Sequence, residues 1–297
     1  MQSHLGEIAA LLTAICWTLN AIAFESAGKK IGSLSLSYLR LFIAFFFLCI
    51  FAFFSRGLAL PTDADFNTWF WLLISGLIGF ILGDVFLFQA FIEIGSRISL
   101  LIMSVAPPLT ALIGFIALGE RISLIGLLGM FIIMVGIGMV ILSKNPDEEK
   151  VEFNRPIKGL IYATIGALGQ ALGLIFSKIG IGDYNPLAAT QIRIIAATIG
   201  LTILITKNKK WPEIKDAIKN KSAMPALVAG SIFGPFVGVS FSLLAVKYTA
   251  TGIVSSISSV SPIIIIPASI MIFKEKVTPK EILGAVVSIV GVILLFL

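Results

Sequence analysis

Apolar runs of about twenty residues alternate with short polar gaps along almost the whole chain, and about twenty helical residues span a bilayer core. Ten such runs can be drawn, at 7–27, 34–55, 68–93, 96–118, 123–142, 157–180, 186–206, 223–247, 251–273 and 278–297. They predict an all-α membrane protein of ten transmembrane helices, and they leave no stretch for a separate soluble domain.

Inside this pattern the chain repeats itself. Gly79, Phe86, Ala90, Ser104, Pro107, Glu120, Gly129 and Gly136 recur 155 residues later as Gly234, Phe241, Ala245, Ser259, Pro262, Glu275, Gly284 and Gly291. A second register, offset by 153, pairs Gly6 with Gly159 and Arg40 with Arg193. The expected units are a first repeat at 1–142, an acidic linker at 143–156 and a second repeat at 157–297. Five spans per unit is an odd number, so the second unit should enter the membrane in the opposite sense. Two inverted five-helix repeats of this kind point to a transporter with its site between the halves.

Composition agrees with the pattern. Of the 297 residues 58% are hydrophobic and 13% charged, where a water-soluble domain carries about a quarter charged. The net charge of +6 is the excess expected of basic cytoplasmic loops and not a nucleic-acid footprint. Gaps on one face collect most of the Lys and Arg; the other face has only Arg56, Arg121, Lys178 and Lys247. The positive-inside rule then places the basic face in the cytoplasm and both termini outside. Trp211 among the lysines of 207–222 suggests a segment resting on the cytoplasmic headgroups, with Ile214, Ala217 and Ile218 on one side of a short helix. Cys16 and Cys49 lie in separate spans and read as small buried hydrophobes. The first run lacks a basic leader and cleavage site, so it reads as a retained helix.

Candidate chemistry starts with Asp84, a carboxylate near the middle of an apolar run. A charge there costs roughly 2.5–3.5 kcal/mol on insertion scales, so it should meet water, carry a proton or find a partner. It is the candidate for proton coupling, with a structural hydrogen-bonding role as the alternative. Phe80, Phe88 and Phe91 share its side of the helix. In the first span Thr13, Trp17, Asn20 and Phe24 form a stripe, answered in the sixth by Gly166, Gln170, Gly173 and Ser177. Trp17, Asn20, Asp84, Phe88 and Gln170 are the candidate substrate-binding residues; interhelical contacts are the competing reading of the two stripes. Arg40 and Arg193 lie six to eight residues into their spans, where repeat symmetry sends them toward opposite faces and arginine can snorkel. Glu25 could pair with Arg40. Pro107, Pro108 and Pro262 are candidate helix kinks at matched points. Gly79 with Gly83, Gly234 with Gly238, and the glycines of the fifth and tenth spans look like close helix contacts. Thr278–Glu281 fits a capping box, and Ser123 can cap the fifth span.

At these residues the chain resembles the EamA family of the drug/metabolite transporter superfamily. The motifs are WTLN at 17–20, SYLR at 37–40 and TQIR at 190–193. Most specific is SVAPPLTALIGFIALGERIS at 104–123, matched by SVSPIIIIPASIMIFKEKVT at 259–278. The resemblance implies a basket of ten helices around a central cavity, alternating access, and a small-molecule substrate taken across a bacterial or archaeal inner membrane. An exporter of amino acids or related compounds is the leading expectation; a nucleotide-sugar or drug/cation transporter, or a non-transporting scaffold, is the alternative. The membrane glutamate of the small multidrug exporters has no counterpart in the middle of the first span.

Enzymatic chemistry has little to work with. His4 is the one histidine, so no H-E-x-x-H zinc motif can form; no Ser–His couple is visible, and a single mid-span aspartate makes no aspartyl pair. No catalytic residue, metal site or cofactor is expected, and no phosphate-binding loop for ATP is visible. The lipid bilayer is the expected partner, with proton or ion coupling to the substrate; oligomeric state is not legible.

Overall fold

A computed structural model describes residues 4–103, 105–142, 157–261, 263–264 and 278–296. Among them there are helices and no strands. In chain order these are α1 (Leu5–Ile31), α2 (Ser33–Arg56), α3 (Phe66–Gly76), a wide π-type segment π1 (Leu77–Gly83), α4 (Asp84–Met103), α5 (Ala106–Leu118) and α6 (Leu124–Leu142). Then come α7 (Ile157–Ile181), α8 (Pro186–Lys207), α9 (Trp211–Lys219), α10 (Met224–Ser231), π2 (Ile232–Gly238), α11 (Val239–Tyr248), α12 (Thr251–Ser258) and α13 (Pro279–Leu295). Among the described residues six helical stretches are long and apolar enough to cross a membrane: Leu5–Gly28, Ser33–Arg56, Phe66–Leu87, Ile157–Ile181, Pro186–Lys207 and Met224–Tyr248. Two shorter apolar helices, Ala106–Leu118 and Leu124–Met139, accompany them. The exterior is greasy as lipid requires: Phe42, Phe46, Phe54, Phe115, Phe131 and Ile293 all point outward.

Helix ends follow local chemistry. Asn185 and Asp65 cap α8 and α3 through their side-chain oxygens, Ser123 accepts from Gly126 N, and Thr278 with Glu281 forms the reciprocal box that opens α13. Each satisfies backbone N–H groups that a helix start leaves unpaired. One expected boundary moves. The third and fourth runs were divided at 93–96, yet α4 continues through them to Met103. That stretch holds no proline to remove a donor, so the hydrogen-bond ladder runs on. Pro107 and Pro108 fall in the first turn of α5, where a missing N–H leaves nothing unpaired; the chain is interrupted before them. Pro262, Ser104, Glu275 and the linker 143–156 lie outside the described residues.

The packing crosses between the ends of the chain. α1 lies against α10, π2 and α11, whereas α7 lies against α3, π1 and α4. The two wide segments begin at Leu77 and Ile232, 155 residues apart. Close approach is set by missing side chains: a Cβ on Gly173 would fall 2.8 Å from Gly79 Cα, and one on Gly291 2.7 Å from Gly129 O. The second contact is the α6–α13 seam foreseen from the glycine spacing. On the basic side α9 buries Ile214 and Ala217 while Ile218 stays exposed, one residue short of the apolar face expected for it.

Candidate functional site

π1 hands the chain to α4 at Asp84, and this junction organises the interior. A Cβ on Gly83 would stand 3.1 Å from Gln170 Nε2, so α7 comes close enough for its amide to reach across. Gln170 Nε2 donates to Asp84 Oδ1 at 2.7 Å. Asp84 Oδ2 accepts from Arg40 Nη2 in a direct ion pair. Asp84 is 9% exposed and Arg40 4%, so the carboxylate has met its cost by finding partners, one of them charged.

Phe80, within π1, is the second pivot. The guanidinium of Arg40 lies 6.0 Å from its ring centroid and that of Arg193 5.1 Å; Arg40 also stands 5.5 Å from the ring of Phe24. Neither arginine snorkels to a membrane face. Both are buried and converge on one aromatic ring, because each side chain can span several ångströms inward from its helix. Arg193 is 7% exposed, and its Nε is buried without a hydrogen-bond partner. Sequence reading singled out Asp84 and Gln170 as candidates and placed the arginines at matched depths, but it carried no signal for their convergence on Phe80.

Of the other candidates, Trp17 and Asn20 lie half-buried on α1 against π2. A Cβ on Gly238 would meet Trp17 Cδ1 at 3.0 Å, and one on Gly234 would meet Asn20 Oδ1 at 2.6 Å. Asn20 Oδ1 is itself buried and lacks a hydrogen-bond partner. Thr13 reaches the same segment through Gly238 O, at 3.5 Å. The stripe on α7 meets α3, π1 and α4: Ser177 and Ser75 hydroxyls are 2.7 Å apart. The side chains of Phe88, Phe91 and Glu25 lie outside the described residues. No group of three or more His, Cys, Asp or Glu that could hold a metal ion occurs among the described residues.

A second polar network ties the helix ends on the sparsely basic face. Glu120 Oε2 accepts from Thr251 N at 2.9 Å and Thr251 Oγ1 at 2.7 Å, which fills the start of α12. Lys178 pairs with Glu120 Oε1 at 3.0 Å and donates to Thr249 O at 2.7 Å; Thr249 Oγ1 donates to Glu7 Oε1 at 3.1 Å. Nearby, Asp63 accepts from Arg56 at 2.5 Å and from Tyr184 Oη at 2.8 Å. Burial, reinforced by the bond to Asp63, pushes the Tyr184 phenol up to about 12. Partial burial works against the Asp63 carboxylate, but the bonds from Tyr184 and Arg56 outweigh it and hold Asp63 below the usual range. Three of the four cations counted on this face, Arg56, Lys178 and Lys247, are therefore committed to acidic partners.

Apolar helices of spanning length around a buried, partnered polar cluster define an integral membrane protein with a polar interior. The profile of the EamA-like transporter family matches residues 4–142 and again 157–297, and the chain belongs to that family, within the drug/metabolite transporter superfamily. An "uncharacterized transporter" of Archaeoglobus fulgidus is 24% identical over 291 residues, covering 97% of this chain and 96% of that protein. The "uncharacterized inner membrane transporter YhbE" of Escherichia coli K12 is 28% identical over 105 residues, 35% of this chain and 32% of its own. A crystal structure of another protein shares the fold at a TM-score of 0.76 and 16% identity, over 97% of this chain and 95% of that one.

Proposed function

We propose that the chain is a secondary transporter that carries a small organic metabolite by alternating access between two inverted five-helix repeats, with export of an amino acid or related compound as its leading activity. The observation that carries this reading is the interior cluster of Arg40, Asp84, Gln170 and Arg193 around Phe80. Polar side chains are placed in the middle of a membrane protein where a pathway or relay needs them. The wide segments support a moving part, since π-type turns gather at functional sites and leave backbone groups free to rearrange. Their spacing of 155 residues, and the reciprocal seating of α1 and α7 on them, favour a two-fold design.

In this reading Trp17, Asn20, Asp84, Phe88 and Gln170 line the pathway, and the Glu120–Lys178–Thr251 network closes the outer face in the present state. Asp84 would exchange its partners during the cycle, with Arg40, Arg193 and Gln170 as the groups facing it. Substrate-dependent flux into or out of proteoliposomes tests the reading; no flux for any amino acid or related metabolite, in either direction, removes it. If Asp84 couples protons, Asp84→Asn abolishes the pH dependence of flux while the protein still folds, and unchanged pH dependence removes that role.

A further inference from the structure

We propose that Arg193 is an anion-recognition group that takes a carboxylate of the transported molecule. This rests on the transport reading above and supplies the substrate class: a small metabolite with a free carboxylate.

Arg40, Lys178 and Arg56 each have a carboxylate partner. Arg193 is as deeply placed, yet it makes no hydrogen bond or ion pair to a described residue, and its Nε is sealed from solvent. The face of Phe80 and the field of Asp84 offset part of the cost of burying that cation. Neither contact uses its N–H donors: the ring offers only its face, and Asp84 accepts from Arg40 and Gln170. An incoming carboxylate would give those donors an acceptor.

The guanidinium is held in place for such a guest. A Cβ on Gly76 would fall 2.8 Å from Arg193 Cα, so α8 is seated hard on α3 at this residue. A Cβ on Gly79 would fall 2.9 Å from Arg193 Nη2, so the missing side chain is what lets the guanidinium lie against π1. A planar fork of unused donors on a fixed backbone matches a carboxylate in a two-point hydrogen bond, which an ammonium cannot reproduce.

The test uses the full chain in detergent and follows its thermal stability against the twenty common L-amino acids and their C-terminal amides. Arg193→Gln and Arg193→Lys are compared with Arg121→Gln, which removes an exposed charge elsewhere. Acids should stabilise the unaltered protein and Arg121→Gln, while the matching amides should not. Arg193→Gln should weaken acid binding about tenfold to a hundredfold, with Arg193→Lys between. Amides that stabilise as well as the acids, acids indifferent to Arg193→Gln, or no stabilisation by any acid would each overturn the proposal. Should Arg193→Gln fail to fold, the acid-against-amide comparison on the unaltered chain still decides. Flux of the same compounds in proteoliposomes separates the two readings. Amides carried as readily as acids leave transport standing without anion recognition. Acids bound through Arg193 but never carried leave the site standing without transport.

Discussion

Asp84 shows how one carboxylate can be tolerated inside an apolar helix and why its neighbours then matter. With Oδ1 on Gln170 and Oδ2 on Arg40, removing either charge takes a charged partner from the other. Asp84→Ala and Arg40→Ala should each cost about 3–5 kcal/mol. The double variant should cost less than their sum by about 1 kcal/mol or more, read as thermal stability in detergent; additive losses would mean that the pair is not coupled. Asp84 and Gln170 were legible in the sequence because a lone charge and a lone amide stand out in oily runs. The arrival of Arg40 and Arg193 at Phe80 was not, since depth along a span says nothing about the direction of a long side chain. Tyr184 and Asp63 stayed hidden for another reason: two loop residues far apart in sequence carry no periodic signal. Their clasp has a definite pH signature. Asp63 has a lowered value in the folded chain, so its contribution is present above the ordinary carboxylate range and fades as pH falls through the folded value. Tyr184 is raised, so its share holds below the ordinary phenol value and fades as pH rises through about 12. In an ultraviolet titration, Tyr184→Phe should delete a phenol that ionises near pH 12.

Among the elements, α6 and α13 were the most predictable because glycines at a seven-residue interval can serve only one face. A Cβ on Gly136 would lie 2.6 Å from Gly284 O and 2.7 Å from Ser288 N, with backbone on both sides. Gly136→Leu must therefore pry the helices apart, at a cost of about 1–3 kcal/mol, visible as a lowered melting temperature; no change would show that the seam can yield. The start of α13 is a gentler case. Thr278→Ala removes a cap that Glu281 N uses and should cost about 1 kcal/mol. Helix ends governed by such caps could be placed from sequence. The continuation of α4 could not, because Glu93, Ser96 and Arg97 look like a loop in composition while offering nothing that breaks a helix. The wide segments were invisible too: Pro235 inside π2 was the one local hint, and π1 has no such marker.

For the molecule as a whole, the membrane class and helical architecture follow from hydropathy alone, whereas the seating of α1 and α7 on the opposite ends of the chain depends on small residues meeting at long range. The Glu120–Lys178–Thr251 network tests how firmly the sparsely basic face is shut. Lys178→Met leaves Glu120 with Thr251 but without its cation, and should raise the labelling of a cysteine introduced at Ser75, which is buried beside Ser177. Unchanged labelling would mean that the pair does not guard an entrance. A widened turn also stores a surplus residue without turning what is threaded after it. An α-helix turns about 100° and advances about 1.5 Å per residue, and a π-type turn holds one residue more than the regular screw. Cutting a single residue from Leu77–Gly83 would restore the regular screw and keep the carboxylate of Asp84 facing Arg40 and Gln170, leaving a better-wound helix with less slack for rearrangement.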